Sequence, residues 1–238
     1  MITSFKGKKI LVTGYGSGIG NCLIKKYLSL GAKVYSTSTK LELKKKNLIV
    51  FKCNFLDKKS AGDFFNKISK LTFDVVINNA GINIVDKIFN VKDKDIEDII
   101  KINLIIPAKI IKITSKKMIT KRTGKIINIA SIFGSVSKSK RASYSSSKSG
   151  LIGLTKACAL DLAKYNILVN AISPGFVDTI LTRKILGIKI MNKIKKNVPL
   201  NKIAKPEEIV PYIIFLSSHH NHYITGQNCV IDGGFTIQ

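Results

Sequence analysis

The strongest constraint on how this chain folds lies near its start. Lys9-Ile10-Leu11-Val12 is a short apolar run closed by Gly14, and Ile19 to Leu30 then follow at helical spacing, with Gly31 as a stop signal. Strand, tight turn and helix in immediate succession predict the first unit of an alternating α/β sheet. Lys33-Val34-Tyr35-Ser36, Asn47 to Lys52 and Asp74-Val75-Val76-Ile77 read as the next three strands, each short, apolar and rich in β-branched residues. A long helix is predicted over Asp95 to Met118, a fifth strand over Lys125 to Ile129, a helix over Ala142 to Lys164 and a sixth strand over Leu168 to Ile172. Pro206 to Ser217 reads as a last helix and Cys229 to Ile231 as a last strand, whereas the Lys-rich stretch from Pro174 to about Val198 has weak periodicity and suits a mobile lid. Such alternation requires a parallel, doubly wound sheet covered by helices on both faces, with ligands at the carboxyl ends of the strands. No linker, repeat or low-complexity tract interrupts it, so residues 1–238 are expected to form one domain.

Composition narrows the class of function. The formal charge of +26 is enough to attract polyanions, yet only three of the 40 basic residues are Arg (Arg122, Arg141 and Arg183), and the Lys are scattered along the whole chain. Base recognition leans on the Arg fork. The excess, which travels with abundant Ile and Asn, therefore reads as compositional bias, and no specific nucleic-acid binding is expected. No stretch approaches the roughly 18 uncharged apolar residues of a membrane helix, and Met1 to Lys9 lacks a long hydrophobic region and a small-residue cleavage site. A soluble, cytoplasmic protein is the expectation. Cys22, Cys53, Cys158 and Cys229 form no CxxC pair, and His219, His220 and His222 have no Cys or carboxylate beside them at ligand spacing, so neither a disulfide framework nor a metal site is expected.

Two motifs carry chemistry. Thr13 to Gly20 joins the first strand to the first helix with glycines at 14, 18 and 20, a GxxxGxG pattern that differs from the GxGxxG of other dinucleotide folds. Backbone N–H groups and the helix dipole at such a turn can receive a pyrophosphate. The second motif, Tyr144-Ser145-Ser146-Ser147-Lys148, places a phenol and an ammonium four residues apart on one helix face. A free phenol titrates near 10, and a nearby cation is expected to bring Tyr144 down toward working pH.

With Asn78-Asn79-Ala80-Gly81, Asn103, Ser131 and Pro174-Gly175 in the same order and at about the same spacing, the chain resembles the short-chain dehydrogenase/reductase family. Gly226-Gln227 and Asp232-Gly233-Gly234 extend the likeness over essentially the whole chain. Within the family, the closest likeness is to 3-oxoacyl-carrier-protein reductases and their sugar- and alcohol-oxidising relatives. The resemblance implies a Rossmann-type fold, a nicotinamide cofactor, and Tyr144 as general acid in reduction and base in oxidation. Lys148 would lower the Tyr144 pKa and hold the nicotinamide ribose. Ser131 would hydrogen-bond the substrate carbonyl, and Asn103, midway along its helix, would support a water relaying protons to Lys148. Cofactor contacts are implied for Gly14, Ser17, Gly18, Ile19 and Gly20, for Ser38 at the end of the second strand, and for Asn54 and Phe55 after the third. They are implied also for Asn79, Ala80 and Gly81, and for Pro174, Gly175, Val177 and Thr179 at the nicotinamide carboxamide. A homotetramer or dimer built partly on the helices bearing Asn103 and Tyr144 is implied as well.

Two departures bear on the cofactor. Where related reductases often carry a basic side chain before the second glycine, this chain has Ser17, and where NAD-using relatives often carry Asp it has Ser38, followed by Thr39 and Lys40. Absence of that carboxylate removes the usual repulsion of a 2′-phosphate, so NADP(H) is expected to be preferred, with NAD(H) usable. The expected substrate is a small or carrier-bound carbonyl compound, first a 3-oxoacyl thioester and next a sugar or other small hydroxy compound. A non-catalytic dinucleotide-binding regulator is a distant alternative, because both Tyr144 and Lys148 are present. Lys125, Lys138, Lys140 and Arg141 flank the site in sequence and are candidates to rim it for an acidic carrier.

Overall fold

The computed structural model describes residues 3–238 and is an α/β fold around one eight-stranded sheet. In chain order its elements are β1 (Lys9–Val12), α1 (Gly18–Ser29), β2 (Lys33–Ser38), β3 (Leu43–Lys45), β4 (Leu48–Lys52), α2 (Lys58–Ser69), β5 (Val75–Asn78) and α3 (Asp93–Ile100). A π-helical turn (Lys101–Ile105) leads into α4 (Ile106–Lys121), followed by β6 (Gly124–Ile129), a 3₁₀ turn (Ile132–Gly134) and α5 (Ala142–Ala163). The chain ends with β7 (Ile167–Pro174), α6 (Ile180–Lys196), α7 (Pro206–Ser217) and β8 (Asn228–Ile231).

The strand order is β3-β4-β2-β1-β5-β6-β7-β8, and every pairing is parallel except β3 with β4. From β1 the chain winds outward through β2 to β4, then returns to the other side of β1 with β5. The reversal leaves a crevice above the carboxyl ends of β1 and β5. Burial on both faces explains the unbroken apolar runs: Ile10, Leu11 and Val12 are all fully buried, and every residue of β7 is buried. Successive residues serve opposite layers. Ile10 and Val12 pack with Leu23 and Tyr27 of α1 and Ile209 and Ile213 of α7, while Leu11 packs with Phe64 of α2 and Ile110 and Met118 of α4.

The expected doubly wound sheet is present, with three local differences from the sequence expectations. Leu43-Lys44-Lys45 is an antiparallel edge strand, with Leu43 opposite Val50; its Lys-rich sequence has no strand signal, and pairing with β4 supplies one. The single helix expected over Asp95 to Met118 is α3 and α4 joined through the π-helical turn. The weakly periodic stretch expected to suit a mobile lid, in which the sequence reading places no helix, is largely α6, capped where the Thr179 hydroxyl accepts from the Thr182 N–H (3.1 Å) and kinked at Gly187, whose φ is +69°. Among the described residues no helix is long and apolar enough to cross a membrane, and no cluster of His, Cys, Asp or Glu could hold a metal.

Candidate active site

The turn after β1 is held open from behind. The Thr13 hydroxyl accepts from the backbone N–H groups of Asn79 (3.0 Å) and Ala80 (2.9 Å), and the Asn79 side-chain amide donates to the Thr13 carbonyl (2.8 Å). On the other side the Thr37 hydroxyl accepts from Gly14 N–H (3.0 Å). Gly14 then takes φ +88°, a left-handed conformation suited to glycine. A Cβ on Gly20 would lie 2.3 Å from the Gly14 carbonyl oxygen, so the first turn of α1 sits hard against the loop. Ser17 precedes α1 without a side-chain capping bond, leaving the first N–H groups of the helix open to an anion.

A cavity of about 730 Å³ runs from this turn across the sheet to the Tyr144 pair. Its wall includes every residue expected at the cofactor, together with Ser131. At one end lie Ser38, whose oxygen accepts from the N–H groups of Lys40 and Leu41 (both 3.2 Å), and exposed Thr39 and Lys40. Asn54 accepts from Leu56 N–H (3.0 Å), while the Phe55 ring turns inward and packs edge-on against Phe64. Gly175 N–H is bound by the Ile231 carbonyl (2.9 Å), and Thr179 comes up against Gly18, so the β7 end closes over the glycine turn. A cradle made by glycines at close approach, an uncapped helix start and a crevice at the sheet's switch point fits a dinucleotide.

The other end holds the ionisable groups. Lys148 is buried and donates to the Ile129 carbonyl (2.7 Å), and burial lowers its pKa to about 8. Its Nζ is 5.7 Å from the centroid of the Tyr144 ring. Ser131, two residues past β6, accepts from Phe133 N–H (3.2 Å), and its hydroxyl also faces the Tyr144 phenol. Asn103, in the π-helical turn, accepts from Ile82 N–H and donates to the Ile82 carbonyl (both 2.9 Å) and to Ser147 Oγ (3.0 Å). It does not line the cavity. Its oxygen stands 3.2 Å from where a Gly81 Cβ would be, which ties the Asn79-Ala80-Gly81 turn to α5 through Ser147.

The electrostatics of Tyr144 depart from expectation. Burial raises the phenol above its ordinary value, and the opposing pulls come from the Ser131 hydroxyl and the Arg141 guanidinium. Lys148, the cation expected to act on the phenol, donates to the Ile129 carbonyl (2.7 Å) with its Nζ 5.7 Å from the Tyr144 ring centroid.

Similarity to known proteins agrees with this geometry. A family model described as enoyl-(acyl carrier protein) reductase matches residues 14–236. A 3-oxoacyl-(acyl-carrier-protein) reductase of Rickettsia typhi is 38% identical over 240 residues, covering 98% of each chain. The chain belongs to the short-chain dehydrogenase/reductase family. Another relative of this dehydrogenase/reductase, the 3-oxoacyl-(acyl-carrier-protein) reductase of Aquifex aeolicus, is 36% identical over 98% of this chain and 99% of its own. Among solved structures, 4-hydroxyisoleucine dehydrogenase complexed with NADH has a TM-score of 0.91 at 33% identity, covering 98% of this chain and all of that one. ElxO with NADP bound has a TM-score of 0.88 at 29% identity, covering 97% and 99%.

Sequence reasoning missed several residues of the site in this dehydrogenase/reductase. Thr13 and Thr37 set the glycine turn through their hydroxyls, and Leu181 and Thr182 of α6 line the cavity. A Thr at the end of a strand carries no signal of its own, since only the fold brings Thr37 to Gly14. The expected basic rim is also revised. Lys125 is the second residue of β6, at the end of the sheet opposite the glycine turn, and donates to the Asn221 carbonyl. Arg141 is buried; Lys138 and Lys140 are exposed.

Proposed function

We propose that this dehydrogenase/reductase uses NADP(H) to reduce a 3-oxoacyl thioester to the 3-hydroxyacyl product. The observation that carries the reading is the single cavity in which the glycine turn, Ser131, Tyr144 and Lys148 all take part. In this reading Gly14, Ser17, Gly18, Ile19 and Gly20 receive the pyrophosphate, Ser38 and Lys40 face the 2′-phosphate, and Asn54, Phe55 and Asn79 to Gly81 frame the adenosine. Pro174 to Val177 and Thr179 hold the nicotinamide end. The bound nicotinamide supplies the hydride.

Ser131 turns its hydroxyl proton to the substrate carbonyl oxygen, where negative charge develops. Tyr144 then delivers the phenolic proton to the same oxygen. The raised phenol pKa keeps Tyr144 protonated at neutral pH, which suits an acid in the reductive direction. Lys148, charged below about pH 8, holds the ribose hydroxyls. Asn103 has committed both amide N–H donors, so it serves a proton relay only through oxygen lone pairs. Residues 1–238 act as one cytoplasmic domain, and a homotetramer or dimer forms through α4 and α5.

The identity to 3-oxoacyl-(acyl-carrier-protein) reductases supports the thioester. A second reading, oxidation of a small hydroxy compound, is favoured by the likeness to 4-hydroxyisoleucine dehydrogenase. Steady-state rates with acetoacetyl thioesters of carrier protein and of coenzyme A, against hydroxy amino acids and sugars, separate them. The first reading expects the carrier thioester with NADPH to give the highest kcat/KM; a higher value for any hydroxy acid or sugar rejects it.

A further inference from the structure

A second concave site lies at the end of the sheet opposite the glycine turn. A cavity of about 320 Å³ opens where the chain enters β1 and β5, beside Lys121 at the end of α4. None of its residues lines the cofactor cavity. Its charge is one-sided. Lys6, Lys8, Lys9 and Lys121 surround it, and Asp74 is the one carboxylate in its wall. That carboxylate is already engaged, accepting from the Lys9 backbone N–H (2.8 Å) and lying 3.8 Å from Lys121 Nζ. Among the described residues, no carboxylate lies within 4.0 Å of the ammonium of Lys6, Lys8 or Lys9.

Neutral donors stand beside these charges. A β-turn closed by the Lys8 N–H on the Phe5 carbonyl (2.9 Å) holds Gly7 at φ +75°. Among the described residues, neither the Gly7 N–H nor the hydroxyl of Thr72, which also lines the cavity, is bound by another protein group. Lysines gathered in a concave wall repel one another and raise the local potential, and an anion relieves both. Charged donors to phosphate oxygens are among the strong hydrogen bonds. No aromatic or aliphatic side chain lines the cavity, so it offers no surface to a nucleobase or an acyl chain. A phosphoryl group carries about −1.5 to −2 at neutral pH. One such group leaves part of the excess of four ammonium groups over one carboxylate uncompensated, and two do not.

We propose that this cleft is a second anion site, which takes a diphosphate group on Lys6, Lys8, Lys9 and Lys121, with the Gly7 N–H and the Thr72 hydroxyl as neutral donors. The test is calorimetric titration of the NADPH-saturated protein with inorganic pyrophosphate at physiological salt, so that the dinucleotide crevice is already filled. Lys8→Gln with Lys121→Gln should weaken binding at least tenfold, about 1.4 kcal/mol. Lys44→Gln with Lys45→Gln removes the same charge from the edge strand β3, three strands from β1. At about 4.8 Å per strand that is beyond a Debye length of about 8 Å, so affinity should stay within about twofold. Asp74→Asn keeps an acceptor for the Lys9 N–H while removing the opposing charge, and should tighten binding at least about twofold. ADP should bind no more tightly than pyrophosphate, because its adenosine finds no apolar wall. Absence of binding, equal losses in the two double variants, unchanged affinity in Asp74→Asn, or tighter binding of ADP overturns the inference.

Discussion

Replacing Gly20 with Ala probes the join between fold and site at its tightest point. The added Cβ would stand 2.3 Å from the Gly14 carbonyl oxygen and 2.5 Å from Asn79 Nδ2. Asn79 could swing aside by giving up its 2.8 Å bond to the Thr13 carbonyl, but the Gly14 oxygen is backbone, in a loop whose Gly14 N–H is pinned to Thr37. The loop must therefore move by about 1 Å to reach ordinary van der Waals contact. Overpacking of this kind costs about 1–3 kcal/mol, and for a chain of this length each kcal/mol lowers Tm by roughly 2–4 °C. The same displacement shifts the N–H groups offered to a pyrophosphate. Cofactor affinity should fall at least tenfold, about 1.4 kcal/mol. Thermal unfolding followed with and without NADPH reads both effects: a lower Tm alone, and a smaller rise on adding cofactor. A folded Gly20→Ala protein with parental Tm and parental cofactor affinity would refute the claim that this loop is the cradle.

The remaining expectations concern charge. Ser38→Asp keeps an acceptor for the Lys40 and Leu41 N–H groups while adding a carboxylate, so the fold should survive and selectivity should move toward NADH by at least tenfold, about 1.4 kcal/mol; unchanged relative kcat/KM for the two cofactors would contradict it. Lys148 has a folded pKa of about 8, below the ordinary lysine value, so the native state gives up this proton first as pH rises. Below pH 8 the cost of burying the charge is fully present, and from pH 8 up to the unfolded value that cost is progressively relieved, so stability rises with pH. Thermal melts should show this rise in the parent and lose it in Lys148→Met, while NADPH affinity should fall through the same window. Lys138→Glu with Lys140→Glu should lower kcat/KM for carrier-bound substrate at low salt and leave coenzyme A thioesters unaffected; equal effects on both would remove a carrier-docking role.

The sheet was readable because its strands are buried on both faces, so that β1, β5 and β6 show as apolar runs within a residue or two of their bounds. What the sequence hid was set by distant partners. Leu43-Lys44-Lys45 becomes a strand only because β4 offers a free edge. The π-helical turn that inserts Asn103 between Ile82 and Ser147 departs from helical spacing by less than a pattern can register. Motif order placed Ser131, Tyr144 and Lys148, since each lies at a fixed offset from a strand end or helix start. It could not place charge. Lys125 lies close to Ser131 in number yet at the far end of the strand, while Arg141, grouped with exposed lysines by its place in the sequence, is buried.

In the proposed reaction the Tyr144 hydroxyl is the proton-transferring group of a nicotinamide-dependent reduction. Tyr144→Phe removes that oxygen and leaves a ring that can still pack edge-on to Phe133. Paired measurement of NADPH affinity and of turnover with an acetoacetyl thioester tests it directly. Affinity should stay within about threefold of the parent while turnover falls by roughly 10²–10⁴-fold. Turnover above about a tenth of the parental rate, with a scale of 10²–10⁴ expected for general acid–base catalysis, would contradict it.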